Sequence, residues 1–132
     1  MNLILSLSKR IVLGISIALL VASSLVFNAA PAAAATYEVK MGTDGMQLAF
    51  QPKQLEAKPG DTIKFVNNKL APHNVVFQQD PLKSAGMASA KLLYKPGETY
   101  EVDIPSNTPA GTYDFYCTPH RGAGMVGKLT VK

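Results

Sequence analysis

From Tyr37 onward the apolar residues recur at every second position, a period that places them on one face of a strand and fits no helix. Tyr37-Glu38-Val39-Lys40-Met41 alternates, and Gly42 to Gly45 then turns the chain. Leu48 to Phe50 and Gln54 to Ala57 read as a second, irregular extended pair. Thr62-Ile63-Lys64-Phe65-Val66 alternates again, Val75-Val76-Phe77 is a short apolar strand, and Thr99 to Ile104, Thr112 to Tyr116 and Val126 to Val131 complete the set. Lys58-Pro59-Gly60-Asp61 and Lys95-Pro96-Gly97-Glu98 place Pro and Gly where turns need a fixed and a positive φ. Seven or eight short strands with turn signals between them predict an all-β sandwich. Asp80 to Leu93 lacks alternation and is expected to be a loop with one helical turn, crossing between the sheets.

Ahead of this domain lies a segment of another kind. Lys9 and Arg10 precede an apolar run from Ile11 to Phe27, followed by small residues that end in Ala33-Ala34-Ala35. A basic start, an apolar middle and an Ala-x-Ala ending are the three parts of an export signal, so residues 1–35 are expected to be removed, with the cut before Thr36 or one or two residues earlier. A retained anchor needs about 20 apolar residues, and the run is slightly short for that. The expected mature domain is 36–132.

The whole chain of 132 residues carries 13 Lys and Arg against 9 Asp and Glu, and the leader takes Lys9 and Arg10 with it. The mild remaining charge, with no Gly-rich phosphate loop and no basic run, argues against nucleic acid or nucleotide as a partner. A single Cys excludes an internal disulfide and any structural zinc or iron–sulfur site built from several thiolates. Export would place that Cys where disulfides are permitted, yet it has no partner. The thiol is therefore free for other work.

Cys117-Thr118-Pro119-His120-Arg121-Gly122-Ala123-Gly124-Met125 puts a thiolate, an imidazole and a thioether within nine residues, between two strands. Gly122 and Gly124 are expected to let the chain turn Met125 back toward Cys117. The chain's other histidine, His73, lies in Ala71-Pro72-His73-Asn74, just before a strand. A sandwich can bring these two loops to one end. Two imidazoles, one thiolate and a weak axial thioether are the ligand set of a blue-copper electron-transfer centre. Zinc is the rival, although Met is not among its usual ligands. Taken singly, each residue has an ordinary reading: Cys117 as a small buried hydrophobe, His73 as a capping residue, Met125 as core filling. Their coincidence at one predicted end of the fold favours the metal.

Pro72-His73-Asn74-Val75-Val76-Phe77 and the segment from Tyr113 to Gly127 resemble the plastocyanin family, in its cyanobacterial form, and the likeness extends over essentially all of 36–132. That resemblance implies a Greek-key, cupredoxin-like sandwich of about eight strands holding one copper ion through His73, Cys117, His120 and Met125. It implies a one-electron carrier and not an enzyme, monomeric and forming transient complexes. The carrier would move electrons in the thylakoid lumen from cytochrome f of the cytochrome b6f complex to photosystem I. Asn74 would tie the two ligand loops together and offer its N–H to the thiolate. Pro119 would deny the thiolate a second donor. The edge of His120 would be the electron port, ringed by Leu48, Leu70, Ala71, Pro72, Pro119, Gly122 and Ala123.

One departure bears on docking. Plant members carry acidic clusters in the stretches matching Gln78-Gln79-Asp80 and Ser89-Ala90-Lys91, whereas here only Asp80 is acidic and Lys83, Lys91 and Lys95 are nearby. Arg121, directly after the port residue, is expected to supply the charged docking contact, with Tyr116 either a second contact or purely structural. A pseudoazurin-like carrier is the nearest alternative. A copper-storage protein would want clustered, exposed Cys and Met, and a copper oxidase would need more than two His.

Overall fold

A computed structural model describes residues 30–84 and 89–132. The expected leader therefore lies mostly outside the described residues, as does the end of the turn expected within 80–93. The chain divides into Met1–Ala32 and Ala33–Lys132, and both sheets belong to the second unit.

Among the described residues nine strands form: β1 (Thr36–Met41), β2 (Phe50–Gln51), β3 (Gln54–Ala57), β4 (Thr62–Asn67), β5 (His73–Phe77), β6 (Ser89–Leu93), β7 (Thr99–Asp103), β8 (Gly111–Tyr116) and β9 (Val126–Val131). They make two sheets, ordered β2-β1-β4-β7 and β3-β9-β8-β5-β6. β1 runs parallel to β4, and β3 parallel to β9, while the other pairings are antiparallel. Parallel neighbours cannot be joined by a hairpin, so the chain must cross between the sheets, as the Greek-key expectation requires.

The alternation seen in the sequence is the burial pattern of the strands. In β4, Ile63, Phe65 and Asn67 are buried while Thr62, Lys64 and Val66 are only partly covered. Four phenylalanines hold the layers together. Phe50 and Phe65 come from one sheet and Phe77 and Phe115 from the other, and Phe115 lies 4.9, 5.5 and 5.3 Å from Phe50, Phe65 and Phe77 respectively, centroid to centroid. Burying each such ring contributes roughly 1.5–3 kcal/mol, and edge-to-face pairing adds about 0.5–1.5 kcal/mol.

Two sequence expectations need correction. Ser89–Leu93 is a strand and not loop: it pairs antiparallel with β5, through His73↔Leu93 and Val75↔Ser89, with an irregularity between them. It escaped notice because Ser-Ala-Lys-Leu-Leu does not alternate. As the last strand of its sheet it is selected by the neighbour it pairs with and not by its own pattern. The Cys117–Met125 connection, expected as plain loop, contains a 3₁₀ helix over Thr118–Ala123, with Pro119 in its first turn where a missing N–H does no harm.

Candidate metal centre

β5 opens with His73 and Asn74, and β8 ends at Tyr116, directly before Cys117. These strands are neighbours, pairing Val76↔Tyr116 and Phe77↔Phe115, so the start of one and the end of the other emerge on the same side of the sandwich. The register alone therefore carries His73 to Cys117 across 44 residues.

Three backbone bonds close the second ligand segment on itself. The His120 N–H donates to the Cys117 carbonyl at 3.3 Å, the Met125 N–H to the His120 carbonyl at 3.1 Å, and the Cys117 N–H to the Met125 carbonyl at 3.1 Å. Gly124, at φ +86°, makes the reversal that permits this closure, a conformation costly for a residue with a Cβ. Gly122 has no such φ, so the expectation that both glycines turn the chain holds for Gly124 alone.

The donors converge. Cys117 Sγ lies 3.6 Å from His73 Nδ1 and 3.5 Å from His120 Nδ1, and the two Nδ1 atoms are 3.2 Å apart. The point equidistant from these three atoms is about 2.0 Å from each, against about 2.0–2.1 Å for a zinc–imidazole bond and about 2.3 Å for a zinc–thiolate bond. An ion of that size class fits with a slight outward shift of the sulfur. His73, Cys117 and His120 are the one such group of His, Cys and acidic side chains among the described residues. Cys117, His73 and Met125 are fully buried, and His120 is half-buried.

The surroundings prepare each donor. The Lys69 carbonyl accepts from His73 Nε2 at 2.6 Å, which puts the ring's proton on Nε2 and leaves Nδ1 bare toward the site. Burial, assisted by the nearby His120 and opposed by the Lys69 carbonyl, holds the His73 pKa below its usual value, so the ring is neutral at neutral pH. Burial pushes the Cys117 thiol up, while the backbone N–H groups of Asn74 and His120 act the other way. Pro119 withholds its own N–H, but the N–H of the next residue takes part alongside that of Asn74. Asn74 also joins the loops: its Oδ1 accepts from the Thr118 N–H at 2.7 Å, and its Nδ2 donates to Thr118 Oγ1 at 3.0 Å. Sequence reasoning missed Lys69 and Thr118. A backbone carbonyl leaves no mark in a sequence, and Thr118 became meaningful only once Asn74 stood opposite it.

Of the residues expected to ring His120, Pro119, Arg121, Gly122 and Ala123 on one loop and Leu70 and Ala71 on the other are exposed, while Leu48 and Pro72 are partly covered. Leu70 is 38% exposed at φ +60°, an uncommon conformation for a large side chain. The Arg121 guanidinium lies 4.0 Å from the centre of the Tyr116 ring, and its Nη2 donates to Gln78 Oε1 at 3.3 Å. These contacts hold the guanidinium against Tyr116 and Gln78.

Geometry by itself suits zinc as well as copper. What decides is that the sequence profile of the copper-binding proteins of the plastocyanin/azurin family matches residues 37–132. The chain belongs to that family. It is similar to the plastocyanin of Prochlorothrix hollandica, 50% identical over 96% of each chain. It is also similar to that of Nostoc punctiforme, 49% identical over 100% of this chain and 99% of the other. Among solved structures it resembles a mutant fern plastocyanin, with a TM-score of 0.60 and 32% identity over 72% of this chain and 99% of that one. As a plastocyanin-family chain it is a type 1 copper electron carrier, and the His73–Cys117–His120 group is the place for its one copper ion.

Proposed function

We propose that this carrier takes electrons from cytochrome f of the cytochrome b6f complex and delivers them to photosystem I, in the thylakoid lumen, as a monomer that meets each partner transiently. It would do so after loss of residues 1–35 and would catalyse no reaction of its own. Supporting this reading are its likeness to two cyanobacterial plastocyanins over nearly their full length and the name "Plastocyanin, chloroplastic" of a relative in Chlamydomonas reinhardtii, 46% identical over 92% of this chain and 79% of the other.

When bound, the copper supplies a centre that alternates between Cu(I) and Cu(II), carrying one electron at a time. The chain does the rest. His73 and His120 present Nδ1, Cys117 presents sulfur, and Met125, buried and tied by backbone bonds to both Cys117 and His120, would offer a weakly binding thioether. The bonds that close the 117–125 segment, and the Asn74–Thr118 link to the other loop, keep the donors from relaxing as charge changes. That rigidity keeps reorganisation small.

One observation carries the docking side of the proposal. His120 alone of the three converging donors is incompletely buried, and its neighbours in the chain, Pro119, Gly122 and Ala123, are exposed and small or apolar, with Arg121 the adjacent cation. A partner can then approach the ring closely, with Arg121 drawn to an acidic patch. Replacing Arg121 by Glu should slow electron transfer from cytochrome f, measured by stopped flow, while the colour of the oxidised protein is kept. Equal rates for both proteins would refute the docking role. A loss of colour would instead mean that the site itself had been disturbed.

A further inference from the structure

We infer that Gly42 is a positioning residue for His73, acting through the carbonyl of Lys69. β1 ends at Met41, whose carbonyl accepts the N–H groups of Asn68 and Lys69 at 3.0 and 3.3 Å, so the segment leading to His73 lies against the end of that strand. The next residue, Gly42, sits directly beneath it. A Cβ added at Gly42 would lie 1.9 Å from the Lys69 carbonyl oxygen, 2.7 Å from its carbon and 3.0 Å from its nitrogen. All three are backbone atoms, which cannot rotate aside as the end of a long side chain can.

The oxygen so crowded is the one that accepts from His73 Nε2 at 2.6 Å. Moving it would stretch or break the bond that fixes the tautomer and plane of the ring. A bare Cα lets the carbonyl settle where His73 reaches it. Asn68 fastens the same arrangement from the side, its Nδ2 donating to the Gly42 carbonyl at 2.8 Å and to Asp44 Oδ1 at 3.0 Å. The Gly42 N–H donates to the Ala49 carbonyl at 3.0 Å, which anchors the floor from below. Other positive-φ glycines differ: Gly60 (φ +90°) and Gly97 (φ +85°) have nothing within 4 Å of such a Cβ. There the requirement is dihedral alone, whereas at Gly42 (φ +79°) it is dihedral and spatial.

That contrast supplies the test. Gly42→Ala and Gly60→Ala both force a side chain into positive φ, but only the first presses on Lys69. In copper-free protein, ¹⁵N NMR of the imidazoles should show His73 as a single Nε2–H tautomer in the wild type and in Gly60→Ala, and a mixture or a fast-exchanging Nε2 proton in Gly42→Ala. After copper loading, Gly42→Ala should bind the ion about 10-fold more weakly, the lower end of the effect of losing a ligand's outer partner. Its Cu(II)/Cu(I) potential should rise, because a ring without its carbonyl acceptor donates less well to the more highly charged ion. Gly60→Ala should melt earlier yet leave affinity and potential unmoved. A wild-type tautomer and potential in Gly42→Ala would overturn the inference, as would equal shifts in both variants, since these would mark general loosening. Should Gly42→Ala not fold, Asn68→Ala adds no clash and should move the same NMR and potential readouts in the same direction by less; no movement there would equally overturn it.

Discussion

Asn74 and Thr118, 44 positions apart, are joined by two hydrogen bonds: the Thr118 N–H to Asn74 Oδ1 at 2.7 Å and Asn74 Nδ2 to Thr118 Oγ1 at 3.0 Å. The pair is the side-chain rivet between the loop that brings His73 and the loop that brings Cys117 and His120. Truncating Asn74 to Ala removes both bonds and leaves the Thr118 N–H without this acceptor. The expected cost is about 1–3 kcal/mol, read as a lower midpoint in denaturant with unchanged slope. Copper should also leave the reduced protein faster. Thr118→Ala loses only the hydroxyl bond and should cost about 1 kcal/mol or less.

Cys117 is buried and unpaired with any other thiol. Oxidised, copper-loaded protein should be intensely blue, and ascorbate should bleach it. Cys117→Ser keeps the shape but replaces the soft sulfur, so it should bind copper without that colour. A visible spectrum of the two proteins settles the matter, since a blue Ser variant would mean that the colour does not come from this sulfur.

Gly127 faces the centre of the aromatic cluster. A Cβ there would stand 2.4 Å from two ring atoms of Phe115 and 3.1 Å from the Lys53 carbonyl. Phe115 touches three other phenylalanines and has no free direction in which to retreat. Gly127→Ala should therefore destabilise by about 1–3 kcal/mol through overpacking. On a domain of this size that is a fall in Tm of about 4–8 °C per kcal/mol, visible by calorimetry with the blue colour retained below the transition.

In the chain that retains Ala35, Asp61 accepts hydrogen bonds from the Ala35 and Lys58 N–H groups, each at 2.8 Å, and these hold its carboxyl below the ordinary value of 3.8; a cut before Thr36 leaves it the Lys58 bond of the two. Because the folded pKa is the lower one, the stabilisation is complete above the unfolded value and is lost as pH falls through the folded value. Melting curves of protein that keeps Ala35, below about pH 4, should show the wild type losing stability more steeply than Asp61→Asn, whose side chain does not titrate. Parallel curves would exclude Asp61 as a source of acid sensitivity.

Much of this was legible before folding because it is written in local pattern. The alternation of Ile63, Phe65 and Asn67 is a property of consecutive residues, and so is the Cys-x₂-His-x₄-Met spacing that assembled three of the donors. Residue types alone also selected a soft, mixed set that suits an ion cycling by one electron. What could not be read depends on neighbours remote in the chain. β6 became a strand because β5 offered it an edge, despite a sequence with no period of its own. Only the β5–β8 register closes His73 Nδ1 to within 3.2 Å of His120 Nδ1. The Lys69 carbonyl is a group every residue possesses, and its part in orienting His73 follows from the close approach of Gly42, 27 residues earlier. The sequence by itself determined which atoms were available to hold the metal. The tertiary structure decided where they meet, which nitrogen of His73 faces inward, and how much of His120 stays open to a partner, because those depend on backbone packing between segments that no local pattern relates.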